Sequence, residues 1–473
     1  MRFAAFCLAP LVLATLSACA AHPRAADVRL PGGYEAPAGA PPGAIALDTW
    51  WTAFDDAELT SLVEQALARN PDVRTARSRL DEARAQRSAG IFQYLPQGDA
   101  RAAFNKTRTE QISGTVANIP GFSTSGTSER YSATFDVSWE VDSWGRGFIA
   151  YDAATAEVDR VRFGYEAARA LVASNVADAW FLARGLAIQL ADAQQTARIQ
   201  QELYDAATKR AQVGISPTSE ADRIAGELSQ AKANVTQLEA QLQVQKRAIL
   251  ILAGRVIEPT ANLNAPPQVG QPPAVPAAIP SELLERRPDI RQAQAAVRSN
   301  TRQETLANLA FFPSFILSPG LGWSKIVQPN FSSETSSWTL GGSAMQPVLS
   351  IPRLLAERKA QSARTEQAVT AYEKTVQTAF QEAENALVTL ESDKKRVVEF
   401  TDGEARSRRA FEAARIGYDR GITDLNTLLQ TEESWRQIRT QLTAAQVQAL
   451  RRTVQVYKAL GGGWPAQTYA QAR

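Results

Sequence analysis

The sequence predicts a mainly α-helical protein with a few β-strands, built from one structural unit that occurs twice. The segments 70–74 and 94–96 reappear in similar form at 287–291 and 311–313, each 217 residues later. Apolar residues also recur every seven positions over unusually long stretches, and a few short segments alternate between polar and apolar residues. A constant offset between similar motifs indicates duplication of a supersecondary unit.

The two copies divide the chain between them. Similar glycine turns at Gly214 and Gly421 are 207 residues apart, and the ten-residue change of offset falls at the longer Gly/Ser/Thr-rich loop 113–128 of the first copy. We predict these segments: signal peptide 1–18, lipidated tether 19–45, first repeat 46–264, Pro-rich linker 265–280, second repeat 281–465 and C-terminal tail 466–473.

Very long helices are the main feature of each repeat. Apolar residues recur every seven positions in the last predicted helix, at Leu428, Trp435, Leu442, Ala449 and Val456. A similar series runs through 224–252, and such spacing is typical of coiled-coil packing. Segments 153–213 and 353–418 continue the pattern, and helices of about 60 residues would be about 90 Å long. The helices therefore predict a rod or a tube.

Four segments have the pattern of strands. Residues 131–141 alternate strictly, and 104–115, 315–323 and 338–348 are weaker candidates. The apolar face of such a strand packs on the core of a soluble sheet or on lipid in an outer-membrane barrel. No stretch after residue 19 reads as a transmembrane helix, so a membrane crossing requires a closed barrel.

The number of strands bears on the assembly. Four strands do not enclose a pore, since single-chain bacterial barrels start at about eight strands. Three copies of the chain would supply about twelve. We therefore predict a trimeric 12-stranded outer-membrane β-barrel, continued by a long α-helical coiled-coil barrel.

Composition excludes several kinds of chemistry. The single histidine, His22, and both cysteines, Cys7 and Cys19, lie in the first 22 residues. The rest of the chain therefore lacks the groups for Ser-His-Asp or Cys-His catalysis, for soft metal sites and for disulfides. The net charge of +2 gives no basic face for nucleic acid. We expect no cofactor, no metal and no enzymatic activity.

The N-terminus predicts export and lipidation. Arg2 precedes an apolar run over 3–16 that is too short to span a bilayer, which is typical of a secretory signal. The run ends in Leu-Ser-Ala-Cys at 16–19, which resembles a bacterial lipobox. We predict that Cys19 becomes the acylated first residue; an ordinary signal peptide cut elsewhere is the alternative.

Five segments carry a resemblance to a known family. They are the Trp-Trp opening and Asn-Pro-Asp motif within 50–72, the two strand-to-helix crossings 139–146 and 346–353, the Arg-Arg-Pro-Asp-Ile motif within 283–290, and the Ala-Leu-Gly-Gly-Gly-Trp ending within 457–464. Together they resemble TolC-like outer-membrane factors, in particular the NodT branch of efflux lipoproteins. The resemblance extends over residues 45–465.

The resemblance implies a passive conduit in the outer membrane of a Gram-negative bacterium, extending into the periplasm. It implies a homotrimer that docks on a periplasmic membrane-fusion adaptor and works with an inner-membrane pump of the RND type. The cargo would be small toxic compounds or drugs. The motifs also have structural interpretations: the Pro-Asp pairs suit first helical turns, the glycines 461–463 stop a helix, and Arg146 and Arg353 are either junction residues or solvated.

The resemblance also places a periplasmic gate at the two glycine turns. The residues concerned are Tyr418, Asp419, Arg420, Asp424, Arg210 and Glu220, with the turn glycines Gly214 and Gly421. Thr427 and Gln430 stand where TolC has its two constriction aspartates, which argues against gating in the manner of TolC. We predict instead that Asp424 accepts from an arginine or tyrosine of a neighbouring helix; ordinary solvated turn residues are the alternative.

Three other functions fit parts of the sequence. An exit duct for type I protein secretion would have the same fold, and the lipobox favours efflux over it. A carbohydrate-active enzyme that uses carboxylates would need a compact domain, for which the heptad-dominated chain leaves little room. A coiled-coil structural lipoprotein would lack the alternation at 131–141.

Overall fold

The computed structural model describes residues 25–35, 47–110, 112–113, 126–275, 280–329 and 331–463. Its helices are α1 (Ala57–Arg69), α2 (Pro71–Phe92), α3 (Arg146–Gln212), α4 (Thr218–Leu252), α5 (Leu283–Arg286), α6 (Pro288–Leu309), α7 (Ile351–Asp419) and α8 (Leu425–Ala459). Its strands are β1 (Gln97–Thr109), β2 (Gly126–Val141), β3 (Ser314–Gln328) and β4 (Phe331–Met345). Short 3-10 turns span Leu47–Phe54, Thr260–Asn262 and Pro280–Glu282.

The chain divides into two compact units. Of the described residues, one unit contains those of Asp81–Arg160 and Gln294–Ala371, together with residues 25–26. The other contains the described residues of Asp27–Leu80, Val161–Ala293 and 372–463. The first unit therefore holds all four strands, and the second holds most of the length of the paired helices.

The four strands form one antiparallel sheet in the order β1-β2-β3-β4. Strands β2 and β3 join the two repeats, with Tyr131 opposite Phe104 on one side and opposite Lys325 on the other. The prediction of four strands is confirmed, although β1 begins seven residues before the predicted Phe104. Among the described residues, β1 and β4 each pair with a single strand, so the sheet has two open edges.

Most heptad residues of the long helices are buried as predicted, although Leu442 of α8 is only half-buried. In α4 the buried residues are Ile224, Leu228, Ala231, Leu238, Leu242, Ile249 and Leu250. By length and composition alone, α3 is apolar enough to cross a membrane, which the sequence analysis did not expect. Because 56% of that apolar window is buried inside the protein, it reads as a core helix.

The two crossings from strand to helix differ. At the first, the Asp142 carboxylate accepts from the amides of Arg146 and Gly147 at 2.6 and 3.0 Å. The Arg146 guanidinium donates to the carbonyl oxygens of Leu309 and Phe312 at 2.8 and 2.9 Å. At the second crossing, Arg353 is exposed, and its ion pair among the described residues is with Glu357, one turn along its own helix. Arg146 is therefore a junction residue and Arg353 a solvated one.

A large apolar core in the second unit joins the turn Leu47–Phe54 and α1 to the ends of α4 and α8. Trp50 is fully buried there and stacks on Tyr457, with ring centroids 5.7 Å apart. The Tyr457 hydroxyl donates to the carbonyl of Ala274 at 2.9 Å, and burial raises the pKa of Tyr457 to about 12. We call this cluster the junction core; its large buried members include Trp50, Leu59, Leu62, Trp180, Phe181, Ile249, Leu250 and Tyr457.

The glycines after α8 close the junction core. The helix ends at Ala459 as predicted, and Gly461 has a φ of +77°, a conformation that favours glycine. A Cβ on Gly461 would lie 2.9 Å from the carbonyl carbon of Arg286. A Cβ on Gly462 would lie 2.9 Å from the Trp50 ring. These glycines therefore do more than stop a helix, because they let the backbone of 461–463 pack against Trp50 and Arg286.

Arg287 links the same two segments by polar contacts. Its side chain is 9% exposed and bonds the carboxylates of Asp289 and Glu382 at 2.6 and 2.7 Å. It also donates to the carbonyl oxygen of Ala459 at 3.3 Å. The Arg-Arg-Pro-Asp and Gly-Gly-Gly motifs, far apart in sequence, are thus in direct contact.

Part of the predicted tether packs against α7. In the segment 25–35, the amide of Asp27 donates to Glu373 at 2.8 Å and the amide of Glu35 donates to Glu384 at 3.1 Å. Tyr34 stacks on Phe380 at 5.8 Å between centroids, and burial raises the pKa of its hydroxyl. This segment is therefore part of the folded surface.

Candidate functional site

The two turns that join the long helices have nearly the same backbone. Gly214 and Gly421 have φ values of +75° and +74°, in the left-handed region that favours glycine. In the first turn the amide of Ile215 donates to the carbonyl of Arg210 at 2.9 Å, and in the second the amide of Ile422 donates to that of Gly417 at 2.8 Å. The duplication thus extends to the hydrogen bonds that end α3 and α7.

The helices that leave these turns begin differently. Pro217 precedes α4 and provides no side-chain cap. Asp424 caps α8, since its carboxylate accepts from the amide of Thr427 at 3.0 Å and from the Thr427 hydroxyl at 2.8 Å. These bonds hold the pKa of Asp424 below its usual value. Within the chain, Asp424 is therefore an N-cap residue.

An apolar cluster next to the turns holds the four helices together. Phe411 of α7 stacks on Trp435 of α8 with centroids 5.1 Å apart, and the Trp435 indole nitrogen donates to Glu404 at 2.9 Å. We call this cluster the distal core; its buried members are Ile199, Ala207, Ile224, Phe411, Ala414, Tyr418, Leu425, Leu428 and Trp435.

The structure brings three of the six predicted gate residues together. Tyr418 is 7% exposed, its hydroxyl donates to Glu220 at 3.4 Å, and the Arg210 guanidinium lies 5.2 Å from its ring centroid. Asp419 and Arg420 are exposed and lie outside this group. Tyr418 therefore belongs to the distal core, while the role of all six residues in a gate stays a prediction.

A polar seam between α3 and α8 was missed by the sequence analysis. Glu432 is 2% exposed, and its carboxylate accepts from the Gln200 amide at 3.3 Å. Burial raises the pKa of Glu432; Arg436 opposes this, and the neighbouring carboxylates Glu227 and Glu433 reinforce it. Positions 425, 432 and 439 form a second seven-residue series beside the apolar one, which was the available signal.

Seven residues further along α8, the seam contains an ion pair. Arg439 bonds the Asp192 carboxylate and the side-chain oxygen of Gln195, the latter at 3.0 Å. It also lies over the Trp435 ring, 5.2 Å from the centroid. Burial raises the pKa of Asp192; Arg439 opposes this rise and Glu404 adds to it. Here a half-buried carboxylate has a cationic partner, whereas no ion pair with Glu432 occurs among the described residues.

Grooves flank the seam on both sides. One, of about 900 Å³, is lined by α3, α4 and α8, mainly with amide and charged side chains. The other, of about 650 Å³, lies between α3, α7 and α8. Trp435 and Arg439 line both grooves. Among the described residues there is no group of His, Cys, Asp and Glu side chains suited to hold a metal ion.

A sequence profile of outer membrane efflux proteins matches residues 62–255 and 279–462, one match in each repeat. The chain belongs to the outer membrane efflux protein family. It is therefore a channel protein of the outer membrane, as the resemblance implied.

Individual members of the family support this assignment over the whole length. The chain is 28% identical to the pyoverdine export outer membrane protein OpmQ of Pseudomonas putida over 467 residues, covering 98% of each chain. It is also 28% identical to the outer membrane protein OprJ of Pseudomonas aeruginosa, covering 98% of this chain and 97% of OprJ.

Solved channels of the efflux family have the same fold. The outer-membrane channel OprN matches with a TM-score of 0.78 and 27% identity, over 93% of this chain and 98% of OprN. The open state of the Neisseria gonorrhoeae MtrE channel matches with a TM-score of 0.79 and 25% identity, over 94% and 98%. The prediction of a TolC-like architecture, mostly helical with a β-sheet part, is confirmed.

Proposed function

We propose that this protein works as a homotrimeric outer-membrane duct of a tripartite efflux system, and that it has no enzymatic activity. The open edges of its four-stranded sheet are the observation that carries the proposal. Unpaired edge strands invite pairing with another chain, and a closed barrel removes all edges. Pairing β1 of each protomer with β4 of the next would join three sheets into twelve strands.

The side chains of the sheet fit a lipid-facing outer surface. Phe104, Tyr131, Phe135 and Trp338 are exposed large residues at positions that share one face of the sheet. The opposite face carries mainly Ser, Thr, Gly and charged residues, among them Arg101, Ser132 and Asp136. Apolar side chains towards lipid and polar ones towards the lumen are typical of outer-membrane barrels.

Cys19 is the proposed lipid anchor; it lies outside the described residues. Several acyl chains hold a protein firmly, whereas one chain binds only marginally. Mass spectrometry of the mature N-terminus should find acylated Cys19. An unmodified terminus at another residue would contradict the anchor.

The proposed partners are a periplasmic membrane-fusion adaptor and an inner-membrane pump of the RND type. The relatives are named for different cargo, pyoverdine for OpmQ, toluene for one TtgC protein and cations for CusC, all on one chain architecture. This variety supports a passive conduit whose cargo is selected by the pump. We propose small toxic compounds or drugs as cargo.

The gate is proposed at the two turns. Tyr418, Asp419, Arg420 and Asp424, with Arg210 and Glu220 of the paired turn, would recur three times around one axis in the trimer. Three carboxylates brought together repel one another unless donors lie between them. The double variant Asp424→Ala with Arg420→Ala should raise conductance and admit large antibiotics into cells. Unchanged conductance with normal assembly would identify these as ordinary turn residues.

The trimeric duct is tested by two measurements on the purified protein in detergent. Light scattering should give three copies, and planar-bilayer recording should give discrete conductance steps. A stable monomer with full strand content would contradict the barrel. A trimer that never conducts would contradict the duct.

A further inference from the structure

Glu432 occupies an unusual place in the distal part of the second unit. It lies on α8 between Leu428 and Trp435, both of which are buried in the distal core. The side chain is 2% exposed, as buried as the apolar residues on either side of it. A carboxylate at a core position between two packed helices is destabilised when it is charged and unpaired.

The polar contacts of Glu432 do not compensate a charge. Its bond from the Gln200 amide is long, at 3.3 Å, and the other end of that amide, Gln200 Oε1, is buried without a hydrogen-bond partner. Among the described residues, no arginine or lysine forms an ion pair with Glu432. The ion pair of Asp192 with Arg439, seven residues further along α8, provides the contrast.

The charged groups around Glu432 come from each neighbouring helix. On α8 these are Arg436, which favours the charged form, and Glu433, which opposes it. On α4 Glu227 also opposes it. On α7 the seam has Glu404, whose carboxylate accepts from the Trp435 indole. On α3 the facing residue is the neutral Gln200, and Asp192 is already paired.

We propose that Glu432 is a proton-controlled positioning residue for the distal helices. With a proton bound, Glu432 allows α8 to pack closely on α3 through Gln200. When it ionises, the seam opens and admits water to the carboxylate. The residue acts through the packing of the helices and requires no contact with cargo.

The sign of the pH dependence follows from the direction of the pKa shift. Burial raises the pKa of Glu432 above its ordinary value of 4.5, so a proton binds more tightly in the packed seam than in an opened one. The stabilisation of the packed seam is complete below the ordinary value. It is lost as the pH rises through the raised pKa.

For the channel, this makes the distal end tighter in acid and looser at higher pH. The distal core adjoins the turns at Gly214 and Gly421, where the gate is proposed. This consequence rests on the proposed function, whereas the opening of the seam does not. The two are therefore tested by different measurements.

The seam is tested by thiol labelling of the full-length protein. The chain has no cysteine after Cys19, so Thr196→Cys, at a buried position one turn before Gln200 on α3, adds a single reporter. Its labelling rate is divided by that of Ser434→Cys, an exposed position on α8, to correct for thiol ionisation. This ratio should rise by at least about threefold between about pH 4.5, the ordinary pKa of the group, and about pH 8.

Two substitutions on the reporter background decide the role of Glu432. Glu432→Gln, a neutral shape mimic, should keep the ratio low at both pH values. The control Glu433→Gln, at the exposed neighbouring residue, should keep the rise. Should Glu432→Gln fail to fold, Glu432→Leu should give the same flat profile.

A ratio that does not depend on pH, or one that still rises in Glu432→Gln, overturns the proposal. Loss of the rise in Glu433→Gln overturns it as well, because the sensor would then be Glu433. In planar bilayers, the open probability should follow the labelling ratio. A labelling rise without any conductance would count against the duct and leave the seam proposal intact.

Discussion

The junction core and the distal core both lie where helices of the two repeats meet, yet they differ in their polar groups. In the junction core, Trp50 stacks on Tyr457, whose hydroxyl donates to the carbonyl of Ala274, and the adjoining Arg287 has two carboxylates and a carbonyl as partners. The Trp50 indole nitrogen is buried without a hydrogen-bond partner among the described residues, but it carries no charge. Beside the distal core, Glu432 is buried without an ion pair among the described residues, and grooves of about 900 and 650 Å³ lie alongside. Well-packed regions open rarely, whereas switching elements come from the less stable end of a protein.

The largest difference between the two cores is expected when the Trp50 side chain is removed. Its indole is fully buried, so Trp50→Ala should lower the free energy of unfolding by about 3–5 kcal/mol, the usual range for large aromatic truncations. Thermal unfolding of the detergent-solubilised protein measures this. We expect loss of amide protection at the ends of α4 and α8 together.

Trp435→Ala is the matched variant in the distal core. Trp435 is 8% exposed and borders both grooves, so its loss should free amides near the turns and leave the junction core protected. Hydrogen exchange of the two variants compares the regions directly. Equal loss of protection across both cores in both variants would mean that they form a single cooperative unit.

A smaller effect is expected from Arg287→Ala. The substitution removes bonds to Asp289, Glu382 and the carbonyl of Ala459, and the two carboxylates are exposed enough to be rehydrated. We expect a loss of about 2 kcal/mol, as for a hydrogen-bonded charged group. Chemical unfolding measures it. The exposed Arg353→Ala should change stability by only about 0–1 kcal/mol, and an equal loss would show that burial of Arg287 contributes nothing.

The smallest effect is expected from Asp424→Ala at the start of α8. Loss of the cap should speed exchange of the Thr427 amide severalfold at neutral pH, with little change at the uncapped start of α4. Because the pKa of Asp424 is lowered, its contribution is present above the ordinary value of 3.8 and is lost as pH falls through the lowered one. Asp419→Ala is the control. A difference from wild type that persists in strong acid would show that the charge of the carboxylate is not its cause.

The sequence predicted the elements that follow from local periodicity. The heptads of α4 and α8, the strict alternation of β2 and the glycine turns at Gly214 and Gly421 all carry their information within a few residues. The cap of α8 was readable too, since an aspartate three residues before Thr427 is a helix-start pattern. The gate contact of Asp424 stays a prediction.

Contacts between residues far apart in the chain could not be predicted from local sequence patterns. Arg287 bonds a carbonyl 172 residues away, and Gly462 is required by the Trp50 ring, so each motif looked like a helix start or a helix stop. Glu432 was not singled out, because the series 425, 432 and 439 shows that these positions share one face of α8 but does not show that α3 packs on it. Which polar positions of a helix are buried can be told only when the helix that packs against it is known.

The segment 25–35 has a consequence for how the protein sits at the bilayer. The amide of Asp27 is pinned to Glu373, and Asp27 follows the proposed anchor Cys19 by only eight residues. Eight residues reach at most about 26–29 Å even when fully stretched. The proposed acyl group on Cys19 could therefore be no farther than this distance from the Asp27–Glu373 contact. The bilayer that receives the acyl chains must lie within the same distance. Residues inserted between Cys19 and Asp27 would relax this limit on the position of the protein relative to the bilayer. They would leave the contacts among its helices and strands unchanged.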